Sequence, residues 1–258
     1  MSRKAVLRAN AILVAFSQPR LQKLADVYDV DISQAVLIHE LLTELNGSIF
    51  ASLQIFEIHL RNMLDHQLNE MYGNDWEVKG PFASARLKGA VTSAKNRAHR
   101  NAYGKLPNSD RKALRAGLTG RRETILKNAA AKVSISKADT ISNFYFSFWR
   151  MLFLKTYEPS LWNFGLRKIF PNKVVSRGVV SDHLETILKV RNRIAHHELV
   201  HSKLCESYIE SLTYLTKQLW KRGVVRKAGL YTFQAPYLKQ IEYHKIRLEH
   251  ILAHSKAK

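Results

Sequence analysis

Between residues 33 and 72 apolar side chains recur every three or four positions, a period that admits little besides an amphipathic helix. Val36, Leu37, Ile38, Leu41, Leu42 and Leu45 begin the stripe, behind a Ser33 placed to cap it. Asn46-Gly47 predicts a break or kink. Ile49, Leu53, Phe56, Leu60, Met63, Leu64 and Leu68 carry the stripe on, and Gly73 is placed to follow the helix end in a left-handed conformation.

Later segments obey the same period. Residues 140–157, TISNFYFSFWRMLFLKTY, are aromatic-rich and apolar all round, which predicts one buried helix. A short helix is expected around 160–168, ending before Pro171. Asp182-x-x-Glu185 has capping-box spacing and predicts the start of a helix with Leu184, Ile187, Leu188, Ile194 and Ala195 inward. Leu204, Tyr208, Leu212, Leu215 and Leu219 predict a further helix stopping at Gly223, and Pro236 suits the first turn of a last one. Only VVRKAGLYTF alternates, and no repeat is evident. The expectation is an all-α fold, one domain over residues 1–258.

Charge narrows the class of partner. Forty-one Lys and Arg against 21 Asp and Glu give +20 on 258 residues, an excess that favours a polyanion, nucleic acid before anionic membrane. Residues 86–137 hold fourteen Lys and Arg against Asp110 and Glu123 alone, a net +12, with Tyr103 the sole aromatic. A merely solvated face would mix signs for i,i+4 pairing, so this insertion reads as a phosphate-contacting module. Its candidate contacts are Lys95, Arg97, Arg100, Lys105, Arg111, Lys112, Arg115, Arg121 and Arg122. With Cys205 the single cysteine, no intramolecular disulfide can form, which fits a reducing cytoplasm. The apolar run Ala11–Phe16 is too short for a signal peptide, and no membrane span is expected.

Two catalytic patterns overlap in RNRIAHHELVH, residues 191–201. His197-Glu198-Leu199-Val200-His201 spells the zinc-hydrolase HExxH, which requires both histidines one turn apart on a long helix and a third ligand beyond. Glu206 and Glu210 follow too closely to supply that ligand from a separate element. Arg191-Asn192-x-x-x-His196 instead matches a metal-independent ribonuclease, for which no cofactor or metal is expected. RNA cleavage by its own 2′-hydroxyl needs a base, an acid for the departing 5′-oxygen, and a cation for the phosphorane. His196 suits proton transfer, Arg191 suits the phosphate, and Asn192 can orient the ring or bind a phosphate oxygen. On a regular helix Arg191 and His196 diverge by about 140°. A bent arginine, a distorted helix or a second subunit across a two-fold axis would reconcile them.

Landmarks spread along the chain accompany this pattern: SQPRLQKLADVYDV, FEIHLRNMLDHQLNEMYGNDW, FYFSFWRML, LWNFGLRKIFP and VRNRIAHHELV. In this ordered set the chain resembles the Abi-like (abortive infection) proteins of the HEPN superfamily. The resemblance implies a HEPN-like helical bundle, a homodimer, and a role in phage defence or toxin–antitoxin systems. It also implies an endoribonuclease site on Arg191, Asn192 and His196, with His197 supporting, whose products carry 2′,3′-cyclic phosphate and 5′-hydroxyl ends. Non-catalytic binding of a structured noncoding RNA is the alternative, and zinc hydrolysis through residues 197–201 the second. Glu57 and Arg61, one turn apart, read as a half-buried ion pair; the resemblance adds the option that they orient the histidine motif. His99, His244, His250 and His254 read as solvated, and Cys205 as a packed thiol.

Overall fold

The computed structural model describes Ala15 and residues 17–80, 84–172, 175–219 and 230–255. Gly223, most of the run up to Phe16 and the first part of VVRKAGLYTF lie outside them. The described residues form helices and turns with no strand, as the periodicity predicts. In chain order the helices are α1 (Gln18–Tyr28), α2 (Ile32–Tyr72), α3 (Trp76–Lys79), α4 (Ala85–Lys105), α5 (Asn108–Arg115) and α6 (Arg122–Ala131). There follow α7 (Lys137–Ser142), α8 (Phe146–Met151), α9 (Arg177–Ala195), α10 (Ser202–Leu219) and α11 (Leu230–Ser255). No helix among the described residues is long and apolar enough to cross a membrane.

Helix α2 begins one position before the expected Ser33. Asp31 is its cap, with Asp31 Oδ1 accepting from Gln34 N at 2.9 Å and Gln34 Oε1 accepting from Asp31 N at 3.3 Å. The helix then passes Asn46-Gly47 without a break. Gly47 costs about 1 kcal/mol against Ala in a helix interior. Burial of Leu41, Leu42, Leu45, Ile49, Leu53 and Phe56 along one unbroken stripe outweighs that cost. Gly73, at φ 83°, ends the helix as predicted, its N–H bonded to Asn69 O at 2.8 Å.

Other boundaries differ from the sequence reading. The aromatic block of residues 140–157 is core but not one helix: the end of α7, α8 and a 3-10 turn (Lys155–Tyr157) divide it. Side chains buried in several directions are better served by broken turns than by one cylinder, and Asn143 Nδ2 donates to Asp139 O at 2.8 Å where α7 stops. Helix α9 starts at Arg177, not Asp182, because Ser176 Oγ accepts from Val179 N at 3.2 Å and takes the cap. Helix α11 begins at Leu230 and carries Pro236 inside it. In place of the short helix expected around 160–168 stand a π turn (Glu158–Trp162) and a 3-10 turn (Leu166–Ile169), the latter ending before Pro171 as expected.

The chain divides into two compact units. The first takes residues 1–59, 170–174 and 182–258; the second takes 60–169 and 175–181. In the first, Tyr208 is fully buried, its hydroxyl 2.7 Å from Ser52 Oγ and donating to Ile49 O at 3.3 Å. In the second, Trp76, Phe144, Phe148 and Trp149 form an aromatic cluster with centroids 3.9–6.3 Å apart. Trp76 Nε1 donates to Asp65 Oδ1 at 2.7 Å, and Lys137 Nζ lies 3.4 Å from the same oxygen.

The basic segment within the second unit is helical. Helices α4, α5 and α6 enclose a small core of Tyr103, Ala129 and Ala130, flanked by Leu106, Leu114, Leu118, Leu126 and Val133. Its positive charges are not equivalent. Arg100, Lys105, Lys112, Arg115, Arg121 and Arg122 are exposed, while Lys95, Arg97 and Arg111 are half-buried. Arg97 donates from Nε and Nη2 to Asn143 O at 3.1 and 2.7 Å, and its guanidinium lies 3.8 Å from the Tyr145 ring centroid. Arg97→Gln should therefore lower stability by about 1.5–3 kcal/mol, the scale of charge-assisted hydrogen bonds. Arg100→Gln should stay within about 0.5 kcal/mol, as at an ordinary surface position. Urea titrations of both variants check the contrast.

Candidate functional site

Everything at residues 191–201 follows from how α9 stops. His197 N donates to Ile194 O at 3.0 Å and Glu198 N donates to Arg193 O at 2.8 Å, the paired bonds of a Schellman turn. The residue between them must be left-handed, and here it is His197, at φ 57°, where glycine is usual. His196 N still reaches Asn192 O at 3.0 Å, so His196 sits at the junction of helix and turn. It is exposed, as are Asn192 and His197.

The next helix begins at once. His201 is its cap: His201 O accepts from Cys205 N at 3.0 Å, and His201 Nδ1 accepts from Leu204 N at 3.5 Å. The letters HExxH thus fall on a turn between two helices. His197 follows one helix and His201 opens another, so the shared helical face that a zinc hydrolase requires is not formed. Glu198 faces Arg193, with Nη1 to Oε2 at 3.1 Å. Among the described residues no group of three His, Cys, Asp or Glu side chains is arranged to hold a metal.

Three side chains from three helices fix this turn, and the sequence reading marked none of them as functional. Arg20 on α1 donates from Nη2 to His197 O. Asn46 on α2 uses both ends of its amide: Nδ2 donates to Glu198 O at 2.9 Å and Oδ1 accepts from Val200 N at 3.2 Å. Arg193 on α9 donates from Nη2 to Leu199 O at 3.1 Å. The one legible hint was Asn46-Gly47, a turn signal that the helix ignored.

A cleft of about 560 Å³ opens against the turn. Arg20, Lys23 and Arg193 give it positive charge against the single carboxylate of Glu198, the imidazoles of His196, His197 and His201 line it, and Leu24, Val27, Tyr28, Leu42 and Leu199 give it apolar wall. A smaller cavity, about 360 Å³, touches Arg20, His39, Asn46 and His197. Burial, and then the Arg20 charge, push the His39 imidazole below its usual pKa, which keeps it neutral at pH 7. Arg191 and Asn192 line neither; Arg191 Nη1 donates to Asn192 Oδ1 at 3.5 Å. The structure thus brings His196 and His197 together with Arg20 and Lys23 rather than with Arg191.

Other candidates fall elsewhere. Glu57 is half-buried in the first unit, and Arg61 in the second donates to Asn62 Oδ1 at 3.4 Å. His99 and His244 are not solvated: His99 Nδ1 is 2.9 Å from Val133 O, and His244 Nδ1 is 3.4 Å from Glu44 Oε2. His250 is exposed, and the His254 side chain lies outside the described residues. The Cys205 thiol is fully buried and pushed up to about 11, so it is a packed group and not a nucleophile. Comparison with protein families, curated proteins and solved structures gives no match for the chain.

The left-handed turn makes a sharp forecast. His197→Gly should raise stability by about 1 kcal/mol by relieving the side-chain clash at positive φ. His197→Val, β-branched, should lower it by at least as much. Thermal unfolding of both variants beside the parent decides whether the turn exists in solution.

Proposed function

We propose that the protein binds RNA and cleaves it without a metal, leaving 2′,3′-cyclic phosphate and 5′-hydroxyl ends. In this reading it is a HEPN-type effector of phage defence or toxin–antitoxin systems, acting as a homodimer in the cytoplasm. The observation that carries the reading is His196, exposed in a cleft with Arg20 and Lys23, on a turn that other side chains hold in place. An imidazole moves protons near neutral pH, and fixed cations stabilise a phosphorane without reorganising.

Arg191 and Asn192 enter differently. Both lie outside the His196 cleft of their own chain. In a two-fold dimer they would face the phosphate bound by the other copy, since an isologous interface repeats each motif on both sides. The exposed residues Arg100, Lys112, Arg121 and Arg122 supply sequence-tolerant phosphate contacts in the basic unit.

His196→Ala should reduce cleavage by about 100-fold or more, the usual scale for a general acid–base group, while RNA affinity barely changes. Cleavage should survive strong chelator. Product ends read by phosphatase and kinase sensitivity give the chemistry; loss of activity to chelator overturns the reading, and RNA that co-purifies and is never cut leaves a binding protein.

Binding should weaken steeply with salt. Replacing Arg100, Lys112, Arg121 and Arg122 with Gln should flatten the log–log salt slope on single-stranded RNA by up to about three, at roughly 0.7 per phosphate contact. These four are exposed and form none of the small core, so the fold should persist. An unchanged slope would move the RNA to another surface.

A further inference from the structure

Helix α1 presents one face to the His196 cleft: Arg20, Lys23, Leu24, Val27 and Tyr28, spaced as one side of an α-helix must be. That face is graded along its length. Its first turns carry the two cations, and Arg20 is tied to the His197 carbonyl, so the charged end is fixed beside the histidines. Its last turn is apolar and aromatic. Val27 is 63% exposed although it lines the cleft, an open apolar surface with nothing packed over it among the described residues. Tyr28 is half-buried, and burial pushes its hydroxyl up, so the ring is neutral.

From Lys23 to Val27 the helix rises about 6 Å. That separation is comparable to the one between the phosphate and the base of a single nucleotide. A cation at one end of a concave groove and an aromatic ring with an aliphatic neighbour at the other is the pattern by which proteins take unstacked bases. A base paired inside a duplex has no free face to offer Tyr28.

We propose that this cleft is a subsite for one unpaired nucleotide, its phosphate held by Lys23 and Arg20 beside His196 and its base laid against Val27 and Tyr28. The proposal rests on the ribonuclease reading for its purpose, and it adds the substrate class: single-stranded or bulged RNA rather than continuous duplex. Lys23 takes the phosphate directly, because Arg20 already spends one donor on the His197 carbonyl.

The test reads binding without cleavage. Isotope-labelled protein is titrated with adenosine 3′-monophosphate and, separately, with inorganic phosphate. The nucleotide should shift backbone resonances of Lys23, His196, Val27 and Tyr28; phosphate should shift those of Lys23 and His196 alone and bind at least about tenfold more weakly. Tyr28→Ala should bring the nucleotide close to the phosphate affinity, and Tyr28→Phe should keep most of the difference. Lys23→Gln should weaken both ligands.

Equal affinity for the two ligands, or a base effect that survives Tyr28→Ala, overturns the subsite. The comparison on the unchanged chain stands even where Tyr28→Ala does not fold. A protein that binds the nucleotide as described but never cuts RNA retains the subsite and loses the ribonuclease reading. One that cuts RNA yet binds phosphate and nucleotide alike retains the reading and loses the subsite.

Discussion

The amide of Asn46 is the contact on which the site depends. A helix C-terminus leaves carbonyls without partners, and a turn to a second helix exposes further N–H groups. Between Ala195 and Ser202 those groups are satisfied from outside the turn, by Arg20, Asn46 and Arg193. Asn46 does most because it alone accepts and donates, gripping the carbonyl before Leu199 and the N–H after it. Once those groups are held, His196, His197 and His201 have fixed origins, and only their side-chain rotations remain free.

The same turn separates two chemistries that the letters of the sequence superimpose. A histidine pair one helical turn apart points two imidazoles at one ion. Here the Schellman bonds send the chain out of its helix before His197, and His201 spends a ring nitrogen on the cap of α10. What is left is a cleft lined by Arg20, Lys23 and Arg193 with exposed imidazoles on its rim, an arrangement suited to an anion. The remaining buried ionisable groups point the same way. Cys205 and Tyr208 are held protonated by burial, so neither competes with the exposed histidines as a nucleophile or base.

Positive charge in this chain is divided between holding the protein together and facing outward. Arg20 and Arg193 serve the turn; Arg97 serves the Asn143 carbonyl; Lys132 donates to Leu114 O at 3.3 Å; Lys137 serves Asp65 beside Trp76. Each of these cations meets a backbone oxygen or a carboxylate that would otherwise be left partly unsatisfied. Exposed Arg115 still donates to Arg111 O at 3.1 Å, whereas Arg100, Lys112, Arg121 and Arg122 have no such duty among the described residues and face outward. A count of basic residues therefore overstates the surface available to RNA, and burial corrects it.

The sequence by itself determined the class of fold. The stripe from Ile38 to Leu68, the apolar faces of α9 and α10, and the glycine at position 73 each impose helix or helix end through local physics: period, propensity and backbone freedom. It also marked His196 and the basic segment, because charge and motif spacing are properties of the string. It did not determine where helices begin or break. Asn46-Gly47 reads as a turn and is helix, because burial of the stripe outweighs glycine's local cost; Asp182 reads as a cap and is interior, because Ser176 caps first. Least of all could it place the companions of His196. Arg20, Lys23 and Asn46 lie more than a hundred residues away in sequence, and no local preference couples them to the turn. Only the packing of α1 and α2 against the end of α9 brings their donors to its unsatisfied carbonyls, and that tertiary demand for hydrogen bonds decided which residues stand around the histidine.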